Sequence, residues 1–119
     1  MSGTSCDVDC IDHAAASKAR AAADQFADSA ALPLLRALAD PVRMRLLVAA
    51  VDEPGLCACD LAWIVDRQKS LVSHHLKQLR DTGLLEAQRD GRLMRFQATA
   101  IAVALVTSVI TAVETREAA

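Results

Sequence analysis

The sequence predicts a mainly α-helical domain that carries one small β-hairpin. In the 119-residue chain, 53% of the residues are hydrophobic and only 3% are aromatic; alanine, leucine and valine dominate, which favours helices. Apolar residues recur at helical spacing in the segments between residues 41 and 82. An Asp-Gly pair then separates two short strand-like runs, which predicts a hairpin. Two helices joined by a polar turn and followed by a hairpin are typical of a winged helix-turn-helix.

The chain is predicted to consist of an N-terminal arm and one domain, with the boundary after residue 11. Residues 1–11 read as a flexible arm that would carry metal ligands, and residues 12–119 as the winged helix-turn-helix domain that also mediates dimerisation. Within that domain, residues 12–30 are rich in alanine and predict a helix. Pro33 suits the first turn of a short second helix.

Asp40 and Pro41 predict the start of the next helix, because aspartate is a favoured N-cap and proline suits the first helical position. The helix is predicted over residues 41–51 and ends at the breaker segment 52–55. Helical spacing predicts that it buries Met44, Leu47, Val48 and Val51.

The helix-turn-helix is predicted from residues 56–65, a polar link at 66–69 and a second helix at 70–82 that ends before Gly83. One face of the second helix carries the apolar set Val72, Leu76 and Leu79 together with His75, which predicts a core histidine. Strands at 84–88 and 93–97 flank the turn at 89–92 and form the predicted wing. The last helix, about 99–116, is apolar nearly all round, so it must be buried. A second copy of the chain is the expected cover, which predicts a homodimer through the terminal helices.

A second face of the helix at 70–82 carries side chains of the types that contact DNA. Serine bonds to bases or phosphates and lysine neutralises phosphate, while the helix entrance also favours phosphate. The predicted DNA-binding residues are Gln68, Lys69, Ser70, Ser73, His74, Lys77 and, at the hairpin tip, Arg89 and Arg92. The alternative is a solvated helix face and an exposed hairpin. The unbroken order of helix, turn, helix and basic hairpin favours the DNA interpretation.

The charge distribution is compatible with this interpretation although the formal net charge is −2. DNA-binding domains are often basic, but a net charge hides local patches. Between residues 67 and 95 the sequence has seven Arg or Lys residues against three Asp or Glu residues. The acidic balance lies elsewhere, largely in the N-terminal third.

Four cysteines occur as two close pairs, Cys6 with Cys10 and Cys57 with Cys59. Thiolates prefer soft or borderline metals, and two pairs are enough for one four-sulfur site. Neither pair alone makes a closed site. A redox disulfide switch and simple buried cysteines remain alternatives.

The sequence has no secretory signal, since no basic segment precedes an apolar run at its start. The uncharged stretch 98–113 is shorter than the roughly 20 residues that span a bilayer. We therefore expect a cytoplasmic protein without membrane contact. In the cytoplasm thiols stay mostly reduced, so paired cysteines there more often bind metal or do redox work.

Several segments resemble the ArsR/SmtB family of metal-sensing winged-helix repressors, and together they cover residues 32–97. The segments are ALADPVR at 37–43, LCACDLA at 56–62, LVSHHLKQL at 71–79 and GLL at 83–85. The spacing of the two cysteine pairs is similar to that in the cadmium- and lead-responsive members.

The resemblance implies a dimeric repressor that binds an inverted-repeat operator and leaves it when metal binds. It also implies that Cys6, Cys10, Cys57 and Cys59 are the metal ligands, with Cd(II) or Pb(II) as inducer and Zn(II) as a further candidate. A sensor of As(III) or of thiol oxidation on the same fold stays the alternative. Many family members place Asp, His and Glu ligands of a second site on the last helix, but this chain has no histidine from Thr99 onward, so a second site of that kind is not expected. The third cysteine of the arsenic sensors is replaced by Ala62.

An enzymatic function is not expected. The sequence has no catalytic triad, phosphate loop or carboxylate pair that stands out, and a thiol oxidoreductase would need a Cys-x-x-Cys motif in a βαβ context.

Overall fold

The computed structural model of the chain describes residues 10–118, which fall into two compact units that divide between Leu32 and Pro33. Residues 1–9 of the predicted arm, among them Cys6, lie outside the described residues, so the prediction of an arm at 1–11 stays a prediction. The helices are α1 His13–Ala27, α2 Ala31–Leu38, α3 Pro41–Asp52, α4 Ala58–Val65, α5 Lys69–Asp81 and α6 Ala100–Ala118. The strands are β1 Leu56–Cys57, β2 Leu85–Asp90 and β3 Leu93–Ala98.

Helix α1 forms where the alanine-rich stretch predicted a helix, and it is shorter than the predicted span. The Asp12 carboxylate caps it by accepting a hydrogen bond from the Ala15 N–H at 3.0 Å. Aspartate is favoured at this position because its side chain pairs an amide that the first turn leaves open. No residue of α1 is buried within its own unit.

The core of the second unit lies between α3, α4, α5, the sheet and the first half of α6. Its apolar members come from every one of these elements and touch in one continuous cluster. The fully buried large side chains are Leu46, Leu47, Leu61, Val65, Val72, Leu76, Leu79, Leu84 and Val106. The predicted apolar face of α5 is therefore confirmed.

Helix α3 turns a different face to the core from the one that its spacing predicted. Leu47 is fully buried, but Val48 is 36% exposed, so the prediction that Val48 is buried is wrong. Leu46 and Ala50 are buried instead, because α4, α5, α6 and β3 pack on that side of the helix. The helix is apolar over most of its surface, so its sequence does not single out one face.

The start of α3 is fixed by Asp40, as predicted. Its carboxylate accepts hydrogen bonds from the Val42 N–H at 2.8 Å and the Arg43 N–H at 3.0 Å, and Pro41 occupies the first helical position. The bond from the Arg43 N–H is the largest cause that holds the pKa of Asp40 below its ordinary value. The Arg43 cation and the Val42 N–H add to this lowering, and burial opposes it.

We expect Asp40→Ala to destabilise the protein by about 1–2 kcal/mol at neutral pH, because two helix N–H groups lose their acceptor. The pKa of Asp40 is lowered in the folded state, so its contribution is complete above the unfolded value of about 3.9. It is lost as the pH falls through the lowered folded value. Urea unfolding should show a lower free energy of unfolding for Asp40→Ala than for the wild type at pH 7, and this difference should disappear in stronger acid. Asp52→Ala, at the other end of α3, should not produce this difference; if it does, the cap is not the cause.

A short strand that the sequence did not predict precedes α4. Leu56 and Cys57 pair antiparallel with Phe96 and Arg95 of β3, so that the sheet has three strands in the order β1-β3-β2. The prediction that residues 56–57 open the helix is therefore wrong, and α4 begins at Ala58.

The predicted wing is confirmed and is longer than expected. Strands β2 and β3 pair from Leu85 with Ala98 to Asp90 with Leu93, which leaves a two-residue loop of Gly91 and Arg92. Gly91 has φ 64, a conformation that glycine adopts without strain. Arg89 was expected in the turn but lies within β2.

Helix α6 is buried on one stripe only. Ala102 and Val106 are buried against the core. The exposed large apolar side chains of the helix are Ile101, Val103, Val109, Ile110 and Val113. The single chain therefore leaves most of this helix uncovered, and the expected cover by a second copy of the chain stays a prediction. Within residues 10–118, none of the helices combines the length and apolar character needed to cross a membrane.

Candidate nucleic-acid interface and thiol pair

Helix α5 has one face in the core and the opposite face in solvent. Ser70, Ser73, His74 and Lys77 are all exposed. Their spacing of three and four residues places them on one side of the helix. The structure thus brings together four of the eight predicted DNA-binding residues on a surface that a DNA groove can reach.

Gln68 and Lys69 lie at the entrance of this helix. Gln68 is the N-cap residue and makes no side-chain cap hydrogen bond, while Lys69 is the first helical residue rather than part of the link. The first turn of a helix has backbone N–H groups without intrahelical partners, and these attract anions. Both side chains are exposed. The entrance of α5 is therefore suited to a phosphate contact.

Lys77 already has an acidic neighbour on the same helix. Its Nζ lies 2.8 Å from the Asp81 carboxylate, and both side chains are well exposed. An exposed pair of this kind contributes little to stability. Lys77 can therefore exchange this partner for a phosphate at small cost.

The two adjacent histidines differ as predicted. His74 is exposed, whereas His75 is buried with its Nδ1 at 3.4 Å from the Arg43 guanidinium. Arginine can only donate, so Nδ1 of His75 must accept in this contact. Arg43 also donates to the Gln78 side chain and to the Ala37 carbonyl, which ties α5 to α2 and α3. His75 is a structural core residue.

The wing presents Arg89 and Arg92 to solvent, as expected for backbone contacts. A third arginine, Arg95, lies in β3 and holds the hairpin in place. Its Nε donates to the Asp90 carboxylate at 2.8 Å, and its Nη1 donates to the Gly55 carbonyl at 2.9 Å. The hydrogen bond with Asp90 is the main cause that raises the pKa of Arg95.

Cys57 and Cys59 lie at the start of α4, the first helix of the helix-turn-helix. Cys57 is the N-cap residue and is half-buried, and Cys59 is exposed on the first turn. One oxygen of Asp60 accepts hydrogen bonds from both the Cys57 thiol and the Cys57 N–H, each at 3.2 Å. The two thiols are therefore accessible, and a carboxylate already holds one of them in place.

The described residues do not by themselves form a complete metal site. Within residues 10–118, no group of three His, Cys, Asp or Glu side chains is placed to hold a metal ion. Cys10 is exposed and belongs to the N-terminal unit, and Cys6 lies outside the described residues. The convergence of the four predicted ligands therefore stays a prediction. The donor chemistry at Cys57 and Cys59 suits a soft ion, and further ligands are required.

Sequence reasoning missed two residues near the thiols. Arg95 was counted only as a basic residue, because its partners become visible only once β1 is paired with β3. Trp63 is the single tryptophan of the chain and is 85% exposed, one helical turn after Cys59. The separation of four residues from Cys59 was a signal that could have placed both on one side of α4.

Comparison with known proteins finds relatives among bacterial transcriptional regulators. Residues 40–87 match the model of the bacterial regulatory protein, arsR family. The chain is 29% identical over 96 residues to the cadmium resistance transcriptional regulatory protein CadC of Listeria innocua, and the match covers 81% of each chain. It is 44% identical over 73 residues to the HTH-type transcriptional regulator CmtR of Mycobacterium bovis, with 60% of each chain covered.

A solved structure supports the same assignment. The crystal structure of a predicted DNA-binding transcriptional regulator from Escherichia coli matches with a TM-score of 0.63 and 28% identity, covering 81% of this chain and 97% of that one. The predictions of a winged helix-turn-helix regulator and of a non-enzymatic function are confirmed by these relatives. Residues 40–87 of the chain are therefore similar to the arsR family of bacterial regulatory proteins.

Proposed function

We propose that this protein is a metal-responsive transcriptional repressor that binds operator DNA as a homodimer and is released when a thiophilic ion binds its cysteines. The observation that carries the proposal is the position of Cys57 and Cys59, which open the helix directly preceding the exposed face of α5. Only α4 and one turn therefore separate the proposed metal-binding thiols from the proposed DNA-contacting face of α5.

DNA binding is assigned to α5 and the wing. The exposed polar face of α5 enters the major groove, with its open N-terminus on a phosphate. Arg89 and Arg92 of the wing contact the adjacent backbone. In a dimer, two such helices lie about one helical turn of DNA apart, so an inverted repeat is the expected operator.

The metal site is assigned to Cys57 and Cys59 together with Cys6 and Cys10 of the N-terminal segment. Two sulfurs do not close a site for a soft divalent ion, and the first pair supplies the missing ligands. Cd(II) is the first candidate because thiolates prefer soft ions, and one relative is named for cadmium resistance. Pb(II) and Zn(II) follow.

Release of the operator follows from thermodynamic linkage. An ion that binds the low-affinity conformation more tightly weakens DNA binding by the same factor by which DNA weakens ion binding. The thiols must lose their protons to bind the ion, so the response weakens in acid. Because the thiols sit at the N-terminus of α4, any displacement of that end moves the first helix of the helix-turn-helix.

The test is a series of operator-binding measurements on fully reduced protein with Cd(II), Pb(II), Zn(II) and As(III). We expect Cd(II) or Pb(II) to weaken the operator complex by roughly 10- to 100-fold. Emission from Trp63 should change in the same titration, because ligands that gather at Cys59 displace water near the indole. Uptake of no ion, or uptake without loss of DNA affinity, would contradict the proposal. A response to peroxide without metal would favour the redox alternative.

A further inference from the structure

The guanidinium of Arg43 connects the proposed DNA-contacting helix α5 to two other helices. Its Nη1 donates to the Gln78 side-chain oxygen at 3.0 Å and lies 3.4 Å from Nδ1 of His75, both on α5. Its Nε donates to the Ala37 carbonyl at 2.9 Å and its Nη2 to the Arg36 carbonyl at 3.3 Å, both in the last turn of α2. Arg43 itself belongs to the first turn of α3. One side chain therefore links α2, α3 and α5.

The Arg43 side chain is mostly buried, with an exposed fraction of 19%. Arginine keeps its charge in proteins, and a buried charge is costly unless partners satisfy it. Its four acceptors do so, and the Asp40 carboxylate lies 3.9 Å from Nη1 and balances the charge. The planar guanidinium donates in fixed directions, which a flexible lysine does not. A rigid group therefore sets the position of His75 and Gln78 relative to the end of α2.

The two residues of α5 that Arg43 contacts lie on the flank of the helix beside its exposed polar face. His75 and Gln78 are three residues apart, so they lie on one side of the helix. His75 is buried, whereas Gln78 is exposed and follows His74 by four residues, which makes it a neighbour of the exposed polar face. Contacts on this flank restrict the rotation of α5 about its own axis, and with it the direction of His74.

We infer that Arg43 is a positioning residue that orients α5 for the recognition of a specific DNA sequence, through Gln78 and His75. The inference rests on the proposed operator binding and deepens it. Side chains that bind a ligand need supporting groups to hold their geometry. Base contacts depend on this geometry, whereas non-specific affinity comes mainly from charge and phosphate contacts. Loss of the Arg43 contacts should therefore reduce affinity for the operator more than affinity for DNA in general.

The test is the specificity ratio, defined as the Kd for a scrambled duplex divided by the Kd for an operator duplex of the same length. The operator duplex is the sequence that the wild type selects from a random-sequence pool, and both values are measured at one salt concentration. We expect Arg43→Gln to lower the ratio roughly 5- to 10-fold, as one mismatched base pair does. A purely structural role would reduce the fraction of folded protein, which weakens both complexes equally and leaves the ratio unchanged.

Arg45→Gln is the matched control, because it removes the same charge from the same helix. The Arg45 guanidinium donates to the Ile64 carbonyl of α4 at 2.8 Å, and among the described residues it has no hydrogen bond to α5. Any loss of affinity should be equal for the two duplexes, so its ratio should stay at the wild-type value. Arg43→Lys keeps the charge without the planar fork, so its ratio should lie between those of the wild type and Arg43→Gln.

Gln78→Ala breaks the same link from its exposed end, where it costs no core packing. It should also lower the ratio, and the double variant with Arg43→Gln should show no further fall, because two residues that act through one contact are not additive. If Arg43→Gln does not fold, Arg43→Lys takes its place in both comparisons. A further fall in the double variant would show that Gln78 acts on DNA independently of Arg43, which contradicts the inference.

The remaining outcomes separate the inference from the proposed function. If the wild type distinguishes the two duplexes while Arg43→Gln and Gln78→Ala keep its ratio, the inference is overturned and the proposed function stands. If Arg45→Gln lowers the ratio as far as Arg43→Gln does, the contacts with α5 are not the cause and the inference is again overturned. If the wild type selects no sequence, the proposed operator binding fails and the inference fails with it.

Discussion

Replacement of Cys57 by serine is expected to produce a repressor that binds its operator normally and ignores metal. Cys57 is the N-cap of α4, and its contact with Asp60 three residues later follows the spacing of a capping box. Serine is a better N-cap than cysteine, so Cys57→Ser keeps the helix start and removes only the soft ligand. The operator Kd without metal should therefore stay within about twofold of the wild type, since well-placed surface changes shift stability little.

The metal response should behave differently. The wild-type loss of DNA affinity on adding Cd(II), roughly 10- to 100-fold, should shrink to almost nothing in Cys57→Ser. Fluorescence anisotropy of a labelled operator measures both values in one titration. Ala58→Ser is the matched control, because it adds a hydroxyl between the two cysteines without removing sulfur. A Cys57→Ser protein that releases DNA as the wild type does would show that Cys57 is not a ligand.

Parallel variants test the first cysteine pair. If Cys6 and Cys10 complete the site, Cys6→Ser and Cys10→Ser should reduce Cd(II) affinity without changing operator binding in its absence. The same variants should reduce the change in Trp63 emission. Unchanged affinity in both would confine the site to α4 and to ligands other than the predicted pair.

Local signals in the sequence were enough to predict most of the helix boundaries. Asp40 with Pro41 marks the start of α3, and Gly83, which has φ 79, marks the end of the α5 region. These residues act through their own backbone preferences, so no distant contact is needed to interpret them. The same holds for Gly91 in the wing. The predictions at these positions were therefore accurate to about a residue.

The features that were missed depend on distant partners. Strand β1 has only two residues, too few for an alternating pattern, and exists because Leu56 and Cys57 pair with residues about 40 positions later. The role of Arg95 follows from that pairing and was invisible for the same reason. The buried face of α3 was also misassigned. The helix is apolar over most of its surface, so the elements that pack against it determine which side is buried.

Grouping of the proposed DNA-contacting residues was easier to predict than convergence of the four proposed metal ligands. The exposed face of α5 lies on one helix, so spacing alone brings Ser70, Ser73, His74 and Lys77 together. The four cysteines come from two segments separated by more than 40 residues. Whether they meet depends on how the segments and the subunits are arranged, which spacing does not determine.

The apolar stripe of α6 predicts the effect of a substitution that breaks the proposed dimer. Ala102 and Val106 are buried, and the same side of the helix continues one turn later with Val109, Ile110 and Val113, which are exposed. A continuous stripe of this kind exposed to water marks an association surface. A twofold interface uses the same patch on both subunits, so one substitution appears in it twice.

We therefore expect Ile110→Asp to yield a folded monomer that has lost operator binding by a factor of 100 or so. Ile110 is 41% exposed, so the monomer loses little core packing. Two aspartates buried in an apolar interface are costly because each loses its hydration, and a monomer contacts only one half-site, which removes the gain from linked binding. Sedimentation equilibrium measures the association, and circular dichroism checks the fold.

Thr111→Asp places the same charge one position further along α6, on a side that also carries Thr107 and Ser108. It should remain dimeric and bind the operator with nearly wild-type affinity. The contrast between the two variants matters because added negative charge alone weakens DNA binding by a general electrostatic effect. If Ile110→Asp sediments as a dimer, the exposed stripe is not the subunit interface; if both variants lose DNA equally, repulsion rather than dissociation explains the loss.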